Sequence, residues 1–128
     1  INASLGCAQM TRLNSYVKLK RKLFNKYKAG FKNISDIKIF QEPVSARSNY
    51  WLQTLILSNK IYNLKDIILQ KTNNLGFSTR PVWKPLHKLQ KFKKFPRMNL
   101  NLTENLDKRI INLPSSVYLA SHMENYER

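Results

Sequence analysis

The sequence is poor in cysteine, glycine and long apolar runs, and each shortage excludes a class of protein. A single cysteine, Cys7, allows no disulfide within the chain, so a disulfide-built secreted scaffold is excluded and the cytoplasm is the expected compartment. Three glycines and five prolines are too few for a low-complexity chain. No apolar run approaches the roughly 20 residues that a membrane-spanning helix needs.

The first residues lack both an initiator methionine and the basic-then-apolar pattern of a signal peptide. This absence favours a piece of a longer protein. The 128 residues have the size of one domain, and a hydrophobic content of 42% is enough for a core.

Acidic residues are also scarce, with 7 against 23 lysines and arginines and a formal net charge of +16. A basic nucleic-acid-binding module is therefore one hypothesis for the chain. The cations are nevertheless dispersed, and only KLKRK (18–22) and KFKK (91–94) are dense runs. The joint abundance of Lys, Asn and Ile is what an AT-biased genome produces. Solvated lysines therefore explain the charge better, and nucleic acid is not the partner that we expect.

Apolar residues at steps of three and four predict one long amphipathic helix over residues 3–29. Asn2 is placed to cap its start, and Gly30 follows its end. At 1.5 Å per residue such a helix is about 40 Å long, which exceeds what a domain of this size covers. We therefore expect its first turns, around Leu5 and Cys7, to pack against another part of a longer protein.

Shorter patterns further along the chain predict a small sheet and two more helices. The predicted strands cover residues 37–40, 50–58 and 77–83, and the predicted helices cover residues 64–75 and 102–113. The middle strand is almost continuously apolar, so we expect it to be central and covered on both faces. The short connection before it favours an antiparallel first pair. The order predicts an α/β fold in which helices cover a small, mainly antiparallel sheet.

Two clusters of binding-type residues are the candidates for a functional site, because the sequence has no glycine-rich phosphate loop, no Cys/His metal spacing and no arranged Ser/His/Asp set. The clusters are ARSNYW (46–51), before the central strand, and TRPVWKPLH (79–87), after the third strand. Pro81 and Pro85 stiffen the second cluster. The two clusters would share one rim of the sheet if their strands are neighbours with suitable directions.

The chemistry of these side chains suits a phosphorylated, ring-containing ligand, although structural interpretations stay open. Arginines at 47 and 80 can bind phosphate or carboxylate bidentately, and the Trp and His at 83 and 87 can stack on a base or cover a sugar. Against this, Trp51 has the pattern of a core residue and Asn49 that of a turn residue. Arg47 could also form a structural salt bridge with Glu42.

Four segments, in this order and at these spacings, resemble the C-terminal portion of the sugar aminotransferases of the DegT/DnrJ/EryC1/StrS family. They are INASLGCAQM (1–10), ARSNYWLQTLIL (46–57), GFSTRPVWKPLH (76–87) and NLPSS (112–116). The resemblance covers residues 1 to about 119. It is greatest to the branch that aminates a nucleotide-linked 4-keto-6-deoxy hexose for legionaminic-acid-type surface sugars.

The resemblance implies a homodimeric enzyme of the aspartate-aminotransferase type (fold type I) that uses pyridoxal phosphate. Residues 1–128 would form its small C-terminal domain, and the helix over 3–29 would link that domain to a large cofactor-binding domain. The family's covalent lysine and the aspartate that holds the pyridine nitrogen lie upstream. We therefore assign no catalytic or cofactor-binding residue here, and we expect the chain alone to be inactive. The amino donor implied for the whole enzyme is an amino acid, with glutamate expected.

The resemblance also assigns the proline-rich segment to the sugar-nucleotide side of the active site. In order of strength, the implied substrate-binding residues are His87, Arg80, Trp83, Arg47, Ser48 and Asn49. We expect residues 80–87 to form an extended rim beside the start of the central strand. The LPSS turn (113–116) looks structural.

Overall fold

The computed structural model describes residues 1–122, which contain five α-helices and four strands. In chain order these are α1 (Asn2–Met10), α2 (Leu13–Gly30), β1 (Ile37–Ile39), β2 (Gln53–Leu57), α3 (Lys65–Asn74), β3 (Arg80–Pro81), α4 (Asn101–Arg109), β4 (Ile110–Leu113) and α5 (Val117–His122). Short 3₁₀ turns lie at Tyr62–Leu64, Leu86–Lys88 and Gln90–Phe92. No helix in residues 1–122 is long and apolar enough to cross a membrane.

The four strands form one antiparallel sheet in the order β1-β2-β4-β3, which confirms the predicted fold class and the antiparallel first pair. β2 is an interior strand, as its apolar sequence predicts. Its side chains alternate between the two faces. Gln53, Leu55 and Leu57 are buried, whereas Thr54 and Ile56 are only half-buried. The predicted cover on both faces is therefore wrong within residues 1–122, where one face is much better covered than the other.

The sequence pattern does not predict β4, which lies between β2 and β3. The predicted helix over 102–113 is wrong beyond Arg109, because Ile110 already has an extended backbone with φ −87° and ψ 134°. Arg109 fixes this change by donating from Nε to the Leu57 carbonyl oxygen at 2.6 Å. Ile111 is then fully buried between its neighbouring strands. Burial in the sheet outweighs the helical spacing of the apolar residues.

The predicted long helix over 3–29 is also wrong in one respect, because two helices occupy its place. The break lies at Thr11 and Arg12, where the Thr11 hydroxyl donates to the Ala8 carbonyl oxygen at 2.8 Å. Such a bond from a side chain competes with the helical backbone pattern. At the start of α1, Ile1 and not Asn2 occupies the N-cap position, and no side chain caps the helix.

No residue of α1 is buried. Leu5 is 60% exposed, Met10 is 65% exposed, and Cys7 is exposed as well. The prediction that the first turns lie beyond the reach of the sheet is confirmed.

α2 supplies the helical side of the core, since Leu23 and Phe24 are buried and Phe24 packs with residues of the sheet. The buried core cluster consists of Phe24, Ile39, Tyr50, Leu55, Leu57 and Ile111. Burying side chains of this size contributes roughly 1.5–3 kcal/mol each. α5, which the sequence analysis does not predict, packs against α2 and buries Ala120 completely. The backbone of His122 belongs to the end of α5.

The remaining elements follow the predicted order with changed limits. The predicted helix over 64–75 is confirmed as α3, with Asp66 in its first turn and Gly76 just beyond its end at φ +84°. Leu64 is its N-cap residue, and no side chain caps the helix. The predicted strand over 77–83 shortens to two residues that pair only with β4.

Candidate functional site

Glu42 organises the loop that leads into β2. Its carboxylate accepts hydrogen bonds from both terminal nitrogens of Arg21 and from the backbone N–H of Ser48. The hydrogen bonds from Arg21, and then that from Ser48, hold the pKa of Glu42 below its ordinary value. Glu42 was predicted to form a salt bridge with Arg47, and this partner is wrong. The arginine that pairs with Glu42 is Arg21 of α2.

Tyr50 connects this loop to the core through a rare backbone conformation. Its φ of +48° lies in the left-handed region, which bulky residues seldom adopt. Its ring stacks on Phe24 with centroids 4.2 Å apart, and the Arg21 guanidinium lies 5.2 Å from its ring centroid. Its hydroxyl accepts the N–H of Glu42 at 3.3 Å. Together these contacts hold the Tyr50 backbone in its left-handed conformation despite the strain.

The three predicted ligand residues of the first cluster have different environments. The Ser48 hydroxyl accepts the N–H of Tyr50 at 2.9 Å, and the Asn49 side-chain oxygen accepts the N–H of Trp51 at 3.0 Å. Both side chains therefore shape turns, as the structural interpretation of Asn49 expects. Arg47 is exposed and lines a shallow pocket of about 170 Å³, so its guanidinium remains accessible to a ligand.

Trp51 and Trp83 bring the two clusters together. Their ring centroids are 6.2 Å apart and their planes meet at 67°. Because β2 and β3 run parallel within the sheet, a straight continuation of β3 would separate the two rings. The chain therefore bends after Pro81. The condition set for a shared rim is not met, because β4 separates β2 from β3, and the two clusters approach each other instead through this contact between the indoles. The predicted core position of Trp51 is wrong, since Trp51 is 62% exposed and Trp83 is 78% exposed.

The side chains of Lys20 and Ser115 fix the backbone of Trp51 by hydrogen bonds. The Trp51 carbonyl oxygen accepts the Lys20 amine at 3.0 Å and the Ser115 hydroxyl at 2.7 Å. The Lys20 amine also donates to the carbonyl oxygen and the hydroxyl oxygen of Ser115. Burial lowers the pKa of Lys20. The LPSS turn is thus structural, as expected, and it supports the start of β2.

His87 lies on a second surface, against α4. Its Nε2 is 3.0 Å from a carboxylate oxygen of Glu104, and the imidazole is only 12% exposed. Next to it, the Lys88 amine donates to Asp107 at 2.7 Å, and this bond raises the pKa of Lys88. Residues 86–88 form a 3₁₀ turn, so the predicted extended rim over 80–87 is wrong at its end.

An apolar, open pocket of about 530 Å³ adjoins His87. Its lining residues are Pro85, Leu86, His87, Phe92, Phe95, Pro96, Arg97, Leu100 and Thr103. The imidazole is therefore placed between a carboxylate and an apolar cavity.

Arg80 belongs to a row of polar side chains across the less covered face of the sheet. Arg80 pairs with Asn112 of β4, which pairs with Thr54 of β2, so all three side chains share one face. The Thr54 hydroxyl donates to the Asn112 side-chain oxygen at 3.3 Å. Arg80 is exposed at the end of this row, where its guanidinium is accessible.

The sequence does not predict the residues that support the loop before β2, namely Lys20 and Arg21. Lys20 and Arg21 lie in the run KLKRK (18–22), which looks like a solvated face, and their partners are more than 20 positions away. One signal was available. Glu42 is an isolated carboxylate in a strongly basic chain, so a structural cationic partner was to be expected.

Comparison with known proteins gives a family for almost the whole chain. Residues 1–125 match the DegT/DnrJ/EryC1/StrS aminotransferase family. The candidate pyridoxal phosphate-dependent aminotransferase EpsN of Bacillus subtilis is 33% identical over 87 residues, which are 68% of this chain and 22% of that protein. GDP-perosamine synthase of Vibrio cholerae is 25% identical over 114 residues, which are 88% of this chain and 31% of that protein.

A solved structure shows the same fold. The aminotransferase TlmJ of Streptoalloteichus hindustanus superimposes with a TM-score of 0.82 at 21% identity, over 96% of this chain and 33% of that chain. The chain thus spans between about a fifth and a third of the length of these proteins. Taken with the match over residues 1–125, these likenesses show that the chain belongs to the DegT/DnrJ/EryC1/StrS aminotransferase family.

Proposed function

We propose that the chain is the small C-terminal domain of a pyridoxal phosphate-dependent enzyme that aminates a nucleotide-linked keto sugar. The observation that carries this proposal is the family match over residues 1–125. The name of the Vibrio cholerae relative, GDP-perosamine synthase, supports a nucleotide sugar as substrate. The exposed apolar side chains of α1 support a linking role for the first helix, because such residues are expected to be covered in the whole enzyme.

The finer proposal concerns the substrates and the assembly. Glutamate is the amino donor, and a 4-keto-6-deoxy sugar of the legionaminic-acid type, destined for a cell-surface polysaccharide, is the acceptor. The full-length enzyme is a cytoplasmic homodimer. These points rest on the sequence resemblance.

We assign no cofactor-binding residue among the described residues. A lowered pKa is what a lysine needs to act as a nucleophile, and Lys20 has one. Its amine, however, donates to the oxygens of Trp51 and Ser115, so it is a structural residue. On the sequence resemblance, the cofactor, which supplies the electron sink for amino transfer when bound, is assigned to a large domain outside residues 1–128.

The role of this domain in the reaction is to bind and orient the nucleotide sugar. Arg80 and Arg47 present accessible guanidinium groups for phosphate oxygens. The His87 imidazole, oriented by Glu104, is placed to hydrogen-bond a sugar hydroxyl or carbonyl oxygen. Fixing these groups before binding reduces the entropy that the ligand loses.

The test uses the full-length protein, pyridoxal phosphate, glutamate and a panel of GDP-, UDP- and TDP-linked 4-keto-6-deoxy sugars. The expected result is formation of 2-oxoglutarate together with an amino sugar of the matching mass. Loss of water from the sugar without gain of nitrogen would contradict the aminotransferase proposal. The 128-residue chain alone is the matched control, and we expect it to produce neither product.

The nucleic-acid hypothesis predicts a different behaviour. A binder of the phosphate backbone loses affinity steeply as salt concentration rises. Several cations of this chain are instead engaged in internal hydrogen bonds, among them Lys20, Arg21, Lys65, Lys88 and Arg109. Tight, salt-sensitive binding of the chain to a random-sequence duplex would revive this hypothesis.

A further inference from the structure

Trp51 combines an exposed side chain with a fully engaged backbone. Its N–H is bonded to the Asn49 side chain, and its carbonyl oxygen accepts two hydrogen bonds, from Lys20 and Ser115. All three partners are side chains. In a regular β-strand, by contrast, the backbone groups bond to the backbone of a neighbouring strand. The indole itself is 62% exposed. The fold therefore fixes the position of this ring without using the ring to fill the core.

The residue before Trp51 adds to this constraint. Tyr50 holds a left-handed backbone, φ +48°, while its ring is buried against Phe24 and beneath Arg21. A backbone of this kind in a bulky residue costs on the order of 1–3 kcal/mol and persists only where surrounding contacts impose it. At this position it determines the direction in which the chain, and with it the Trp51 ring, leaves the loop.

Trp83 is held from the other side by prolines. Pro81 lies in the last position of β3, and Pro85 follows two residues after the ring, so few backbone conformations are open to this segment. The two indoles meet edge to face at 67° with their centroids 6.2 Å apart, and both side chains are exposed. A planar ring can therefore lie on an exposed indole face of this pair.

We propose that Trp51 and Trp83 form a stacking site for the base of a nucleoside diphosphate, with Lys20, Ser115 and Tyr50 as positioning residues for Trp51. The ligand class rests on the proposed function, and the site rests on the geometry. A rigid aromatic pair suits base stacking because every base has a π face. Two arginines can supply the positive charge for the diphosphate. Arg47 lies four residues before Trp51, and Arg80 lies three residues before Trp83.

The test measures binding without turnover, so that it is independent of the reaction. The full-length protein is titrated with GDP, UDP and TDP by calorimetry, and with inorganic pyrophosphate as the control for phosphate binding alone. For at least one nucleotide, Trp51→Ala and Trp83→Ala should each weaken binding by about tenfold or more, as loss of a stacked base requires. Affinity for pyrophosphate should stay unchanged in both variants.

A conservative variant guards against a folding defect. Trp51→Tyr keeps an aromatic face and should restore most of the affinity. Ser115→Ala removes one hydrogen bond to the Trp51 carbonyl oxygen, and it should weaken nucleotide binding by a smaller factor while Trp51 remains present.

Several outcomes overturn the proposal. One is unchanged nucleotide affinity in both alanine variants, and another is the absence of binding by all three nucleotides. A third is loss of thermal stability or of the dimer in Trp51→Tyr and Trp83→Ala with nucleotide affinity intact, which would place the pair in an interface between domains or subunits. If nucleotides bind through the tryptophans and no amino sugar is formed, the stacking site stands and the proposed reaction fails.

Discussion

The two segments that carry the candidate ligand residues are held in opposite ways. Residues 42–51 are tied to α2 and to the buried core through Glu42 and the stacked Tyr50 ring. Residues 82–100 contact the rest of the domain mainly at its surface, where His87 and Lys88 bind carboxylates of α4. The first segment therefore depends on packing and on one ion pair, and the second depends on partly exposed polar contacts with α4. Function can be changed in the second segment with little effect on folding.

The largest expected difference between the segments comes from truncating one aromatic ring in each. Tyr50→Ala should lower the free energy of unfolding by about 3–5 kcal/mol, because Tyr50 is 5% exposed and stacks on Phe24. Phe95→Ala should change it by about 0.5 kcal/mol or less, because Phe95 is 61% exposed. Urea unfolding of the 128-residue chain measures both. Equal decreases in the free energy of unfolding for the two variants would show that the segments do not differ in this way.

A functional variant in the second segment should behave differently. His87→Ala in the full-length enzyme should weaken transition-state binding of the keto-sugar nucleotide by about 1–3 kcal/mol, because a hydrogen-bonding partner of the substrate is lost. Steady-state kcat/KM measures this effect. Cofactor content, read from absorbance, should be unchanged, since the proposal places the cofactor's ligands outside this segment. The proposed role of His87 would be refuted by wild-type kinetics in His87→Ala, Arg80→Ala and Trp83→Ala alike.

Acid should loosen the first segment. Hydrogen bonds from Arg21 and Ser48 lower the pKa of Glu42 from its ordinary value of 4.5 in the folded state. The stabilisation is complete above pH 4.5 and disappears as the pH falls through the lower folded-state pKa. Unfolding free energies measured across this range should therefore fall more steeply for the wild-type chain than for Glu42→Gln. Parallel curves would show that Glu42 does not stabilise the loop.

Alkali should loosen the second segment, by a smaller amount. The hydrogen bond to Asp107 raises the pKa of Lys88 above its ordinary value of 10.5. This stabilisation is present below pH 10.5 and is lost as the pH rises through the folded-state pKa. Exposed ion pairs contribute little, so the effect should be near the detection limit of chemical unfolding. Lys88→Met is the control, and it should remove this part of the alkaline dependence.

The fold was largely predictable from the sequence because its patterns are local. The spacing of apolar residues predicts α2 and α3, and the apolar run at 53–57 predicts an interior strand. β4 escaped prediction because Ile110 and Ile111 continue the helical spacing of α4. Their place in the sheet depends on pairing with strands more than 25 positions away.

The supports of the candidate site were not predictable from the sequence, and the ligand roles of its residues stay predictions. Arg80 and Arg47 present accessible groups, as their chemistry suggests. The interaction of Arg21 with Glu42, and the exposed position of Trp51, depend on how α2 crosses the sheet. That crossing is a tertiary property which no single segment encodes.

The position of β4 also has a consequence for how the domain is made. Of the four strands within residues 1–122, the last one to be synthesised pairs with two others and occupies the interior. Until residues 110–113 have left the ribosome, β2 has one unpaired edge and β3 has no partner in the sheet. The nascent chain therefore exposes an apolar strand edge from the emergence of β2 until the emergence of β4, the condition under which chains associate wrongly or require chaperones.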